Sequence, residues 1–138
     1  MEKLLVMTRT RTLLLAFALI LLGGASYGLK ETVTHHYPAF EARFPHADQS
    51  WWNPALSWHN KYEGGIPAQG PDFPGSTTVF VFVTDAYHLF GAIDRWDTAI
   101  GFVLLTLALY NSKMMWPSVL GGFVVWSVGF HIIYTALF

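Results

Sequence analysis

The stretch 77–93, TTVFVFVTDAYHLFGAI, decides the fold that this chain is expected to adopt. It is apolar enough to enter a lipid bilayer, yet it carries Asp85 and His88 near its middle. Residues three apart lie on one face of a helix. Because ionisable side chains inside a membrane are costly, they usually face a partner, a cavity or a cofactor. The chemistry of the chain should therefore depend on what Asp85 and His88 face.

The composition indicates an integral membrane protein. Hydrophobic residues make up 53% of the 138 residues and charged residues 12%, whereas soluble domains hold about 25% charged residues. The net charge is −1 and no basic run occurs, which argues against a nucleic-acid partner. The chain has no cysteine, which excludes disulfides, thiolate metal sites and covalent attachment of c-type haem.

Four hydrophobic segments predict an all-α membrane protein with four transmembrane helices in a single domain, residues 1–138. The predicted spans are residues 12–37, 77–93, 96–111 and 117–138. We interpret Asp94-Arg95-Trp96-Asp97 as a tight polar turn between the second and third spans. Pro38 is expected to end the first span. A signal peptide shares the basic flank and apolar run of that span, but we expect a retained helix.

The charge pattern predicts how these spans are oriented. Arg9 and Arg11 precede the first span and favour a cytoplasmic N-terminus. With four spans and a cytoplasmic N-terminus, the C-terminus also lies in the cytoplasm. We expect the membrane to be the cell inner membrane. Residues 38–76 contain every proline except Pro117, together with many aromatic residues. They predict an irregular, aromatic-rich extracytoplasmic cap that lies on the bilayer surface.

Carboxylate and imidazole side chains near the outer end of the bundle predict a metal site. Glu31 and His36 end the first span, and Asp85 and His88 lie in the second. Mixed oxygen and nitrogen ligands suit zinc, manganese or iron, and helical bundles build such sites from facing helices. The alternative is that Asp85 and His88 pair with each other or with nearby hydroxyl groups in a packing role.

The most distinctive string in the cap is WWNPALSWHNKY, residues 51–62. Asn60 and Lys61 in this string, together with His35, are expected to surround the metal site or to contact its substrate. The alternative is an interfacial aromatic belt in which Lys61 reaches towards water.

His131 is a second candidate ligand, on the predicted fourth helix. Gly121, Gly122 and Gly129 on the same helix would leave room for a flat macrocycle, so His131 could ligate haem or another pigment. Ordinary packing of small residues between helices explains the same pattern.

Three strings resemble those of a group of small bacterial integral membrane proteins of unknown function. They are WWNPALSWHNKY (51–62), FPGSTT (73–78) and TDAYH (84–88), and the resemblance extends over residues 28–90. It implies that the end of the first helix, the cap string and the face with Asp85 and His88 form one unit. Glu31 and His36 match an acidic residue and a later histidine of that group, although the doubled histidine here departs from it. The resemblance implies no reaction.

Two functions are compatible with these patterns. The first is a metal-dependent enzyme that activates water or oxygen for a lipid-like substrate from the bilayer. The second is a non-enzymatic accessory subunit of a larger respiratory or photosynthetic membrane complex, with haem or pigment on His131 or His88. An ion pathway through Asp85 and His88 is a third possibility, but no charge ring or inverted repeat supports it.

Overall fold

Ten helical segments follow one another in residues 2–137, the part of the chain that this computed structural model describes; side-chain surroundings are described from residue 8. The α-helices are α1 (Glu2–His35), α2 (Tyr37–Arg43), α3 (Gln49–Trp52), α4 (Pro54–Ser57), α5 (Ala86–Leu109) and α6 (Met115–Leu137). Short 3₁₀ turns occupy Trp58–Lys61, Glu63–Gly65, Pro67–Gln69 and Val81–Val83. Within these residues there is no strand, and one isolated bridge pairs Tyr62 with Pro71. The expected all-α class is therefore correct.

The predicted arrangement of four transmembrane helices is wrong, because the bundle has three long helices. The predicted second and third spans, residues 77–93 and 96–111, do not form two helices. Residues 77–84 are turns with a single 3₁₀ segment, and α5 then runs without a break from Ala86 to Leu109. The stretch 77–93 thus contains the start of α5 rather than a complete helix.

Local chemistry explains why α5 begins late and does not stop. Residues 77–84 alternate Thr and Val with Phe, and β-branched side chains lose rotamer freedom in a helix. Asp94-Arg95-Trp96-Asp97 contains no glycine or proline, so nothing in it breaks the helix. The Arg95 side chain donates from Nε to the Gly91 carbonyl one turn earlier, at 3.0 Å. The charged residues are accommodated inside the helix.

Two of the long helices are long and apolar enough to cross a membrane. Residues Thr8–His35 of α1 reach a mean hydropathy of 2.0 in their most apolar window, and α6 reaches 1.6. The third long helix, α5, has 24 residues but carries Asp94, Arg95 and Asp97 at its centre. These charged residues distinguish the composition of α5 from that of α1 and α6.

α1 is the central helix of the bundle, since α5 and α6 contact it far more than they contact each other. On α5, Gly101 faces Ala16 and Ile20 of α1, whereas Gly91 faces Lys30. The two helices therefore run antiparallel. On α6, Gly122 lies near Ile20 and Gly129 near Ala25. α6 therefore runs parallel to α1.

This direction of α6 changes the expected topology. Because α1 and α6 are parallel, Glu2 and Leu137 lie at opposite ends of the bundle. The predicted placement of both chain ends on one side depended on four spans and fails with them. His131 lies towards the end of the bundle that carries the cap.

Small residues allow α1 and α6 to pack backbone against backbone. A Cβ atom added at Gly24 would stand 1.9 Å from the Trp126 carbonyl oxygen, and one at Gly129 would stand 2.3 Å from that of Leu21. Gly24 and Gly28 are four residues apart on the same face of α1, the spacing that membrane helices use for close contact. Nearby, Ala16, Ile20, Leu105 and Leu109 form the buried core between α1 and α5.

The cap, residues 36–85, rests on this bundle through aromatic rings. Trp52 of α3 stacks on Phe40 of α2, with ring centroids 4.9 Å apart, and on Phe90 of α5 at 5.7 Å. Phe40 is almost fully buried, at 3% exposure. The cap is thereby fixed over the end of α1 and the start of α5, where the candidate site lies.

Candidate functional site

Asp85 is the residue that joins the cap to α5. Its backbone is extended, and its carboxylate accepts a hydrogen bond from the His88 backbone N–H at 2.9 Å, which makes it the N-cap of α5. Aspartate is among the preferred residues at this position because it satisfies a backbone N–H that has no partner in the helix. Asp85 therefore stands at the start of a helix, rather than in the middle of a span as predicted.

The same carboxylate also holds the side chain of His88. Its Oδ2 lies 2.7 Å from His88 Nδ1 and accepts a hydrogen bond from the Thr84 hydroxyl at 3.1 Å. The Asp85 side chain is 1% exposed and that of His88 is 24% exposed. A buried carboxylate thus orients an imidazole that is partly open to its surroundings.

These contacts set the protonation state of Asp85. Burial by itself would raise the pKa of the Asp85 carboxyl, since it disfavours the charged form. The hydrogen bonds from the side chain and backbone of His88, the charge of His88 and the Thr84 hydroxyl act in the opposite direction and prevail, so the pKa is lowered from its ordinary value of 3.8. Asp85 is therefore an anion at neutral pH.

The open side of His88 faces a polar cavity between α1 and α5, of about 450 Å³. The residues that line it are Tyr27, Lys30, Tyr87, His88, Gly91, Asp94 and Arg95. With Nδ1 bonded to Asp85, the remaining ring nitrogen of His88 is Nε2, which has no hydrogen-bond partner among residues 8–137. An imidazole that is oriented by Asp85 therefore lines a cavity that the two cations Lys30 and Arg95 also line.

Lys30 is the cation that α1 supplies to this polar cavity. Its ammonium group lies over two aromatic rings, 4.8 Å from the centroid of Tyr27 and 4.9 Å from that of Tyr87. It also forms an ion pair with Glu31 at 3.4 Å. The lysine stem passes beside Gly91, where a Cβ would be in ordinary contact with Lys30 Cδ at 3.5 Å. The aromatic rings attract the ammonium group and hold it at the cavity wall.

Asp94 and Arg95 are functional candidates that the sequence analysis missed. Asp94 accepts hydrogen bonds from the Trp126 indole at 3.0 Å and from the Thr98 hydroxyl at 3.4 Å. Arg95 is exposed at the cavity. Both residues lie in the segment that was predicted to be a turn. Within the helix that it actually forms, His88, Gly91 and Arg95 follow one another at intervals of three and four residues and share one face.

The four predicted metal ligands do not come together. Glu31 pairs with Lys30 and lies 3.3 Å from His35 Nε2. His36 Nε2 lies 2.8 Å from the Tyr134 hydroxyl of α6. Asp85 and His88 form their own pair. Within the described part of the chain, no group of three or more His, Asp or Glu residues is close enough to hold a metal ion, so the predicted four-ligand site finds no support.

Asn60 and Lys61, which were predicted to surround the metal site, mainly contact other residues of the cap. The Asn60 side-chain amide donates to the Ser50 carbonyl at 2.8 Å and to the Thr84 carbonyl at 2.9 Å. Asn60 thus connects the cap string to the residue that precedes Asp85. The backbone carbonyl of Lys61 accepts from the Ser76 hydroxyl at 2.7 Å, and its ammonium group lies 5.7 Å from the Tyr62 ring centroid.

His131 lies on the outer face of α6, away from α1. It is exposed beside Ser127, Val128 and Thr135, in a shallow depression. The glycine nearest to it, Gly129, is used for contact with α1 and makes no room beside the imidazole. Haem or pigment ligation by His131 stays a prediction, and its ligand would have to lie outside the bundle.

Comparison with known proteins finds no relative. No family model, no curated protein and no solved structure matches this chain. The resemblance of the cap strings to a bacterial membrane family therefore stays a prediction, and the case for a function rests on the geometry of the polar cavity.

Proposed function

We propose that this chain is an integral membrane protein that binds the anionic end of a lipid-like molecule in the polar cavity and exchanges a proton with it through His88. The observation that carries the proposal is the orientation of His88 by a buried Asp85, at a cavity that Lys30 and Arg95 also line. Perturbed carboxylates that hold an imidazole in a cavity are typical of acid–base sites.

The hydrogen bond from His88 to Asp85 defines the proposed chemistry. When His88 is neutral and Nδ1 carries its proton, Nε2 is a hydrogen-bond acceptor and can take a proton from a hydroxyl group or a water molecule. The anionic Asp85 stabilises the imidazolium that this transfer creates. Lys30 and Arg95 supply positive charge for an anionic ligand, and the nearby carboxylate of Asp94 disfavours a ligand with negative charge throughout its length.

The location of this cavity favours a ligand from the membrane. α1 and α6 are apolar enough to span a bilayer, and α5 at 1.5 Å per residue is about 36 Å long, enough to cross beside them. We propose that α5 is the third span, with Asp94 bonded to Trp126 of α6 and Arg95 at the polar cavity. Arg9 and Arg11 then favour an inner-membrane topology with the cap outside the cytoplasm.

An acid–base role fits the residues better than a metal-dependent one. Asp85 and His88 would offer one oxygen and one nitrogen ligand, whereas catalytic zinc has three protein ligands. Their mutual hydrogen bond uses the atoms that a shared metal would need. A zinc, manganese or iron enzyme would therefore require a rearrangement of Glu31 or His36 towards His88.

Binding of a simple anionic amphiphile tests the ligand part of the proposal. Purified protein in a non-ionic detergent should bind dodecyl phosphate in calorimetric titration and bind dodecylphosphocholine much more weakly. Lys30→Met and Arg95→Gln should each lower the affinity for dodecyl phosphate by about tenfold, the size of one lost charged contact. Lys113→Met, which removes an exposed cation in the turn between α5 and α6, is the matched control and should bind normally.

The acid–base part is tested separately by ¹⁵N NMR of labelled histidine. His88 should show the tautomer with the proton on Nδ1, and dodecyl phosphate should shift its Nε2 resonance. Asp85→Asn should remove the tautomer preference. Equal binding by all variants, or a His88 signal that does not respond to the ligand, would refute the proposal.

A second candidate function is that of a subunit in a larger membrane complex. The exposed imidazole of His131 on the apolar outer face of α6 favours it, because ionisable groups that face lipid are costly and are normally covered. Native gel electrophoresis of mildly solubilised membranes tests this candidate, together with a visible spectrum. A discrete colourless species of the size of one chain would count against it.

A further inference from the structure

A second cavity lies where the cap meets the ends of α1 and α6, and it is apolar. We call it the cap groove; its volume is about 570 Å³. Its walls are Leu29, Phe40, Phe44, Trp52, Ile133 and Ala136. It shares no lining residue with the polar cavity. The cap groove is therefore a separate site.

Two basic side chains, Arg43 and His46, stand at the rim of the cap groove. Both are exposed, and Arg43 forms no ion pair with any carboxylate of residues 8–137. The nearby acidic side chains are used elsewhere. The Glu41 carboxylate accepts from the Gln49 amide, and that of Asp48 accepts from the backbone and hydroxyl of Ser50. The Arg43 guanidinium at the groove is thus a cation without a paired carboxylate among residues 8–137.

We propose that the cap groove binds one acyl chain of an anionic phospholipid from the surrounding bilayer, with the lipid phosphate on Arg43. The inference rests on the proposed membrane location but not on the acid–base role of His88. The groove lies near the ends of the candidate spans, where Leu29 of α1 and Leu137 of α6 line it. That is the depth at which an acyl chain meets its headgroup. The planar guanidinium group of arginine can bind two phosphate oxygens at once.

The shape of the site matches the two parts of such a lipid. The rings of Phe40 and Trp52 stack at 4.9 Å and those of Phe40 and Phe44 at 5.0 Å, which gives a continuous apolar wall. Phe44 is 44% exposed without a ligand. A bound acyl chain would bury this surface, while the phosphate would neutralise Arg43 outside the apolar region. The acyl chain of a zwitterionic lipid would also contact the apolar wall, but its headgroup would place a positive charge near Arg43.

Lipid retention tests this proposal. The full chain is reconstituted with equal amounts of phosphatidylglycerol and phosphatidylcholine that carry the same acyl chains. It is then extracted into mild detergent, and the lipids that remain bound are counted by native mass spectrometry. Wild-type protein should retain one phosphatidylglycerol per chain. Arg43→Gln should lower the ratio of phosphatidylglycerol to phosphatidylcholine by roughly fivefold, and Lys113→Gln at the opposite end of the bundle should leave the ratio unchanged.

A variant that fills the cap groove separates a specific site from general lipid association. Ala136→Trp should abolish retention while circular dichroism shows the wild-type helix content; if it fails to fold, Ala47→Leu fills the groove from the other wall. Retention in the filled variant, an unchanged lipid ratio in Arg43→Gln, or no retained lipid in wild type would overturn the proposal. Dodecyl phosphate binding should survive in Ala136→Trp, so failure of this site is distinguishable from failure of the polar cavity.

Discussion

Near its C-terminal end, α1 makes a close contact with α6 on one face and an open contact with α5 on the other. Towards α6, Gly24 and Gly28 bring backbones into contact, and no space remains for even a methyl group at Gly24. Towards the start of α5, Lys30 and Gly91 leave a cavity of about 450 Å³ lined by polar side chains. One helix therefore provides both a dry contact that fixes the bundle and an open one that can hold a ligand.

The comparison shows where this small protein places its functional groups. Close backbone contact supplies van der Waals stabilisation that does not depend on the hydrophobic effect, which is weak between helices in lipid. The open contact is stabilised by hydrogen bonds and charge pairs, each of which can be altered without collapse of the α1–α6 contact. Substitutions at the two contacts should consequently have different effects.

The largest effect is expected at the dry contact. Gly129→Ala should destabilise the bundle by about 3 kcal/mol, because the added methyl group would overlap the Leu21 carbonyl. Gly121→Ala on the same helix meets no atom within 4 Å and should stabilise it by about 0.5 kcal/mol through helix propensity. Thermal unfolding in detergent, followed by circular dichroism, measures both. Equal effects of the two substitutions would show that α1 and α6 do not pack as described.

A smaller loss is expected at the open contact when Asp85 is removed. Asp85→Ala should cost about 2 kcal/mol, since α5 loses its N-cap and His88 loses its partner. Asp85→Asn keeps an oxygen that can accept from the His88 backbone N–H, and should cost about half as much. Hydrogen exchange of the first turn of α5 would locate the change. Unaltered protection in Asp85→Ala would contradict the capping role.

The Trp126 indole connects α6 to the open contact through Asp94. Loss of this hydrogen bond should lower the free energy of unfolding by less than Asp85→Ala does. Trp126→Phe keeps the aromatic packing but removes the N–H that donates to Asp94, a change worth about 1 kcal/mol. Trp116→Phe is the matched control, because Trp116 is 70% exposed. The difference between the two unfolding temperatures isolates the hydrogen bond, and no difference would rule it out.

The smallest effect is a dependence of stability on pH. The pKa of Asp85 is lowered in the folded protein from 3.8, so its contribution is fully present above about pH 4 and is lost as the pH falls through the lowered value. Wild type should therefore lose more stability than Asp85→Asn on acidification below pH 4. Parallel unfolding curves for the two proteins over this range would contradict the stabilised carboxylate.

Some of this architecture was predictable from local signals. Pro38 marks the end of α1, which stops at His35, and the apolar runs of α1 and α6 identify two helices that can cross a membrane. The prediction of four spans failed because charged residues were taken to end a helix. The partner that accommodates Asp94 is Trp126, 32 residues later, and local sequence does not reveal it.

The candidate site was also predictable only in part, because local sequence does not reveal which residues helix packing brings together. Asp85 and His88 were expected to share a helix face, whereas Asp85 lies just before the helix; the open alternative, that they pair with each other, describes their geometry. Their position at a helix start was missed, although an aspartate after a β-branched run is a typical N-cap pattern. Lys30 and Arg95 become neighbours of His88 only through the antiparallel packing of α1 and α5, which depends on the number of long helices.

The central position of α1 also determines the order in which the bundle can assemble. Gly101 of α5 and Gly129 of α6 both fit against α1, whereas α5 and α6 contact each other little. A hairpin of α5 and α6 made without α1 would therefore lack most of the surface that orients it. Since α1 leaves the ribosome before either partner, its two contact faces are already present when α5 and α6 are synthesised.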